Sequence, residues 1–211
     1  MYSKIVNLTR KSLPALSANA KNNIASIKEM PEMVLHSMRN AGNKSILHVD
    51  MNHCAAAVIK ENGINTVFTD ALNGCNSVGA AIRLNTGDSL FMLSHYVPTN
   101  TKGQIEALGK QLETYKPYFT SAQEPQLFFN IRGHVPDGKN LEAVPNPIID
   151  GVKKLFSKYF TKSPKVHVTP YQNQNRPAFF SSANIFQFEP QNLKNVKITN
   201  VGEKEKFVTL P

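Results

Sequence analysis

A cysteine, a histidine and a threonine stand within one short stretch of this chain, Val67 to Val97 (VFTDALNGCNSVGAAIRLNTGDSLFMLSHYV), at spacings that can assemble a thiol nucleophile. Cys75 follows a tight Asn73-Gly74 break, His95 stands twenty residues on in the run L-F-M-L-S-H, and Thr69 lies six residues before the cysteine. A thiol has a reference pKa of about 8.5, so at neutral pH only a small fraction is the reactive thiolate. A neighbouring imidazole takes the proton and then stabilises the anion, so an activated pair predicts a thiol that titrates below its ordinary value. Gly74 and Asn73 free the backbone just before the thiol, where an N–H can point at a developing oxyanion. The Thr69 hydroxyl can accept from the imidazole and orient it.

Positioning these groups requires strands. Residues 67 onward, the run after Cys75 and the run ending at His95 are apolar and β-rich, with a turn at Asn85-Thr86-Gly87-Asp88 between the last two. Phe91, Leu93 and His95 fall on one face. Counting ten residues each way from Asn85 sets Cys75 opposite His95 at one end of an antiparallel pair. Upstream, Ser45–Asp50, Ala55–Lys60 and Ile64–Thr69 read as strands, the last two joined by Glu61-Asn62-Gly63, whose Asn-Gly pair suits a hairpin.

Two helices are legible downstream. Thr101–Tyr115 sets Ile105, Leu108, Leu112 and Tyr115 against Glu106, Lys110 and Glu113, an amphipathic helix laid on a sheet. In the second, Asn146 caps, Pro147 takes the first turn and Asp150 meets the positive end of the dipole, while Ile148, Ile149, Val152, Leu155, Phe156 and Tyr159 form the apolar face. A helix is also expected over 24–38. Gln126–Arg132, Lys165–Thr169, Ala178–Phe188, Val196–Val201 and Phe207–Leu210 read as strands. The expected architecture is α/β (α+β type), a layered sandwich of mostly antiparallel, mixed β-sheet flanked by helices.

At 211 residues the chain suits a single catalytic domain over 24–211, preceded by a basic leader, residues 1–23, that contains no acid. The leader lacks the continuous apolar core of a cleavable signal peptide and is compatible with a secretion address. No run reaches membrane-span length. The net charge of +9, from 24 Lys+Arg against 15 Asp+Glu, suits acidic protein surfaces, nucleic acid or anionic lipid as partners, and equally a solvated surface that keeps the protein soluble. Two cysteines make no disulfide scaffold and no zinc motif, and the setting of Cys75 favours free thiols in a reducing compartment.

The remaining candidates have structural explanations. Cys54 follows His53, and successive strand side chains face opposite ways, so Cys54 reads as structural. Asp50, Asp70 and Asp88 read as turn or capping carboxylates, His134 and His167 as surface residues, and Tyr171–Arg176 as a solvated loop.

The run T-D-A-L-N-G-C, followed by two strands and S-H, resembles the cysteine deamidase superfamily that contains the chemotaxis deamidase CheD, the cytotoxic necrotizing factors and the Burkholderia lethal factor. Those proteins carry a Leu-Ser-Gly-Cys or Gly-Ser-Cys element and a histidine on a following strand, and CheD and the lethal factor carry a threonine six residues before the cysteine. Here Leu72-Asn73-Gly74-Cys75 has Asn73 in place of serine, which keeps a backbone role at that position and departs from any serine side-chain role. The resemblance spans residues 67 to 97. It implies a protein-glutamine deamidase with no metal or cofactor, in which Cys75 attacks, backbone near Asn73 and Gly74 holds the oxyanion, His95 moves protons and Thr69 orients the ring.

Toxin members modify host regulators such as Rho-type GTPases or a translation-initiation helicase, whereas CheD acts on chemoreceptors in the bacterial cytoplasm. The basic, acid-free leader and the absence of any CheD-like context favour the first kind, a monomeric protein secreted or injected into a host cytosol, with a protein substrate. The rivals are a receptor deamidase of the CheD kind, another Cys-His hydrolase such as a peptidase or transglutaminase, and a non-enzymatic basic module that binds nucleic acid or an acidic protein.

Overall fold

The computed structural model describes residues 45–60, 62–72, 74–132, 146–171, 182–189, 192–200 and 206–210. The leader, the helix expected over 24–38, Asn73, His134 and residues 172–176 lie outside them. Among the described residues ten strands and two α-helices follow one another as β1 (Ile46–His48), β2 (His53–Ile59), β3 (Thr66–Leu72), β4 (Asn76–Arg83), β5 (Ser89–Tyr96), α1 (Thr101–Tyr115), β6 (Gln126–Arg132), α2 (Pro147–Phe156), β7 (Lys165–Tyr171), β8 (Ser182–Glu189), β9 (Asn192–Asn200) and β10 (Lys206–Thr209).

The strands form two five-stranded sheets, ordered β1-β3-β8-β9-β10 and β2-β5-β4-β6-β7. The pairs β1–β3 and β6–β7 are parallel and the others antiparallel. This is a layered α+β sandwich of mostly antiparallel mixed sheet flanked by helices, as the strand and helix pattern anticipates.

Alternation along β5 explains the layering. Every residue of Ser89–Tyr96 is buried, because each face of this central strand has its own cover. Leu90, Met92 and Tyr96 join Val78, Ala80, Leu127 and Phe129 under Leu108, Leu112, Ile148, Val152 and Phe156 of the helices. Phe91 and Leu93 look the other way, towards Val67, Phe186, Phe188 and Ile198 of the first sheet. Gly79 makes the aromatic packing possible: an added Cβ would lie 3.0 Å from both Phe186 Cζ and Phe91 Cζ. Both helices form, but Ile105 and Tyr115 of the expected face are only partly buried and Tyr159 lies past the end of the second helix. The Asn146 side chain accepts from the Ile148 N–H at 3.1 Å, Pro147 opens the first turn, and Gln104, Ala107, Leu108, Gln111 and Leu112 form the buried face of α1.

Two connections differ from the sequence reading. Glu61-Asn62-Gly63 does not join a hairpin: β2 pairs with β5 and β3 with β1 and β8, so this connection carries the chain from one sheet to the other. The described positive-φ glycines are Gly74 and Gly87. The β4–β5 hairpin turns one residue later than expected. Leu84 N–H bonds Asp88 O at 2.9 Å, Gly87 N–H bonds Leu84 O at 3.0 Å, and Ser77 rather than Cys75 stands opposite His95. Moving the centre of a hairpin by one residue moves each pairing by two, so the same side chains stay on the same face.

Candidate active site

His95 lies near the end of β5 on the face that looks across the sandwich, and Thr69 lies on β3 in the opposing sheet. Thr69 Oγ1 donates to the Val49 carbonyl at 2.7 Å and sits 2.7 Å from His95 Nδ1. A hydroxyl has one hydrogen, and here it is committed to Val49, so Thr69 accepts from Nδ1–H. That fixes the neutral ring in the Nδ1–H tautomer and leaves the lone pair on Nε2. Both residues are buried, which strengthens the bond and holds the ring to one orientation.

Val49 belongs to the connection between β1 and β2, which passes over this end of the sandwich. The Val49 N–H bonds Phe68 O at 2.9 Å, and the Asn52 N–H bonds His95's own carbonyl at 2.6 Å. Asn52 sits at φ 62, a left-handed conformation that asparagine tolerates better than most residues. On the helix side, Gln104 Nε2 donates to Ser94 Oγ at 2.9 Å, tying β5 to α1 beside the histidine.

Cys75 occupies the last position before β4. Continuing the β4–β5 register by one residue sets it against Val97, with which it packs together with Leu72. His95 is then its diagonal neighbour on one face, at a Cα spacing of about 7–8 Å that long side chains bridge. Gly74, at φ 94, turns the backbone immediately before the thiol in a conformation glycine adopts at no steric cost. The Cys75 Sγ lies 3.8 Å from Met51 Sδ, and only 6% of the residue is exposed. Burial pushes the Cys75 thiol up. This runs against the expectation of a thiol that titrates below its ordinary value, because removal from water disfavours the anion.

The register reveals residues the sequence reading passed over. Across the second sheet, His53, His95, Ser77, Asn130 and Thr169 stand in one row. Across the first, Thr69 stands beside Asn184. Ser77, Asn130 and Asn184 are all buried, just beyond the apolar layer of Leu93, Phe128 and Phe186. Buried polar side chains cost free energy unless bonded, so a polar row at the end of a sandwich core marks where chemistry or binding is accommodated. A signal was present in Q-L-F-F-N-I-R, where Asn130 interrupts a buried apolar strand.

Other candidates separate from the site. Cys54 is a free, buried thiol in the helix-side core, with desolvation pushing it up to about 12. Asp88 is a turn carboxylate that accepts from Thr86 Oγ1 at 3.1 Å, and Asp50 is exposed. Asp70, by contrast, is no turn residue: it is buried in β3, 3.1 Å from His48 Nε2. Nor is His167 a surface residue, being half-buried, stacked on Phe128 with 4.9 Å between centroids and bonded to Gln126 Oε1 at 2.9 Å.

Among the described residues no group of three or more His, Cys, Asp or Glu is placed to hold a metal ion, and no helix is long and apolar enough to cross a membrane. What the arrangement offers chemically is a thiol after a left-handed glycine, and an imidazole of fixed tautomer on the same face. No protein-family model matches the chain, and no curated protein matches it.

Proposed function

We propose that the protein is a cysteine hydrolase that converts glutamine side chains of a target protein to glutamate. The observation that carries this reading is the relay Val49 O, Thr69 Oγ1, His95 Nδ1, with both contacts at 2.7 Å. It leaves Nε2 as the ring's acceptor on the face of the sheet that Cys75 shares.

The raised thiol makes His95 a general base at the moment of attack. Cys75 Sγ bonds to the carboxamide carbon while its proton passes to Nε2, and the oxyanion lies against backbone at Gly74. The C–N bond then breaks, and the amide nitrogen leaves as ammonia with the proton from Nε2. A water gives a proton to Nε2 and attacks the thioester carbon, the C–S bond breaks, and the thiolate recovers the proton. The sum is amide plus water to acid plus ammonia. Thr69, bonded to Nδ1, keeps the ring aimed through both transfers. The net charge of +9 supports a target with an acidic surface.

The test treats a soluble eukaryotic protein extract with wild type or Cys75→Ala and scores every glutamine by mass for conversion to glutamate. Conversion at particular glutamines by wild type alone, with ammonia released and no chain cleavage, supports the deamidase. Chain cleavage points to a peptidase, and the absence of any difference between the two proteins refutes the assignment.

A further inference from the structure

Cys75 packs against Leu72 and Val97, and among the described residues the exposed side chain that touches its sulfur is Met51. Met51 is 51% exposed, yet its Sδ lies 3.8 Å from Cys75 Sγ, and the cysteine beneath is only 6% exposed. A carboxamide carbon must approach Sγ along a line from solvent, so whatever blocks that line has to leave first. The backbone around Met51 is not free to do so. Val49 N–H bonds Phe68 O at 2.9 Å, Asn52 N–H bonds His95 O at 2.6 Å, His53 N–H bonds Asp50 O at 3.2 Å, and Met51 O itself lies 2.9 Å from His53 Nδ1. The side chain is another matter: methionine is unbranched, with three rotatable bonds, and repacks at little cost.

We infer that Met51 is the gate of the Cys75 thiol, opened by a side-chain rotation when a partner docks, over a backbone that stays in place. The inference rests on the reading of Cys75 as the nucleophile and adds the element that controls access to it. The same connection carries Val49 and Asn52, the anchors of Thr69 and His95. Opening by rotation of Met51 alone leaves those anchors bonded, so the imidazole remains aligned when substrate arrives. Opening by movement of the whole connection would release it.

Iodoacetamide labelling of Cys75, read by mass against Cys54 in the same molecule, tests the gate without needing a substrate. Met51→Ala is expected to speed labelling of Cys75 relative to Cys54 by about tenfold or more, since local opening is no longer required for access. Met51→Leu, which restores an apolar cover of similar size, is expected to label at the wild-type rate. Equal relative rates in wild type and Met51→Ala overturn the gate, as does a rise in both cysteines together, which reports general loosening. The deamidase reading fails separately: a selective rise at Cys75 with no glutamine conversion by wild type leaves the gate standing over a thiol of other use.

Discussion

Thr69 meets His95 across the gap between two sheets, at 2.7 Å, although the two residues are 26 apart in sequence and share no strand pair. The contact is an inter-sheet bond in a layer that elsewhere holds Phe91, Leu93 and Phe186. Removing the hydroxyl therefore frees the ring to rotate and leaves the Val49 carbonyl without this donor. Thr69→Ala is expected to lower kcat by about 10–100-fold, the usual effect of losing such a supporting bond. Thr69→Ser keeps the oxygen and is expected to restore most of the rate. Measuring kcat across pH separates orientation from simple damage, because a misaligned base changes the profile as well as its height.

Cys75 is expected to titrate above an ordinary thiol. Burial raises it, so the thiolate fraction at neutral pH is smaller than in a free cysteine, and alkylation should climb with pH through a midpoint above about 8.5. Labelling rate against pH in the folded protein and in denaturant gives both midpoints directly. A folded midpoint below the denatured one would mean that a charge partner outweighs desolvation and that the pair stands ionised at rest.

Gly74 holds φ 94 directly before Cys75. A side chain there forces the strained left-handed region, costing about 1–2 kcal/mol or moving the backbone instead. Either response displaces Cys75. Gly74→Ala should therefore lose activity out of proportion to its small fall in Tm, which paired assays of ammonia release and thermal melting resolve.

Much of this fold is written in local pattern. The α2 helix is legible because Asn146, Pro147, Asp150 and the spacing of Ile148, Val152, Leu155 and Phe156 all point to one answer. Cys75, His95 and Thr69 could be picked out by residue type and spacing, although Thr69 stands in the middle of β3 rather than at a strand end. Which strands pair is a tertiary choice. Nothing in the alternation of β2 and β3 says that they enter different sheets, so Glu61-Asn62-Gly63 reads like a hairpin turn, and the meeting of Thr69 with His95 across two layers stays hidden. Ser77, Asn130 and Asn184 are hidden for the same reason, each being an ordinary polar residue until registers in both sheets bring them to one end. Desolvation of the thiol is equally a product of packing, from Leu72, Val97 and Met51 together.

Gly79 tests the packing between the sheets. Its Cβ position is flanked at 3.0 Å by Phe186 and Phe91, both fully buried and in contact with each other at 4.6 Å between centroids. Both rings would have to shift by a few tenths of an ångström inside a buried aromatic cluster, so Gly79→Ala overpacks the core. The expected loss is about 1–3 kcal/mol, read as a lower denaturant midpoint. Because β4 also carries Ser77 and leads directly from Cys75, the variant should lose activity as well.

Stability should fall on the alkaline side because of Cys54. Its thiol is pushed up to about 12 by burial, whereas in the unfolded chain it titrates near its reference value of about 8.5. Above that lower value the unfolded state has lost the proton and the folded state keeps it, so unfolding is favoured as pH rises. The contribution is fully present below about 8.5 and is lost progressively up to about 12, at a slope of about 1.4 kcal/mol per pH unit. Tyr96, buried beside Cys54 and also raised to about 12 by desolvation, adds a second loss that begins near its own reference value of about 10. Melting curves between pH 8 and 10 isolate the two thiols from tyrosine, and Cys75, which burial also raises, adds to the same slope. Cys54→Ala should reduce that slope while Tyr96→Phe leaves it in place. A slope unchanged in Cys54→Ala would mean that other groups titrating in this window govern the alkaline loss.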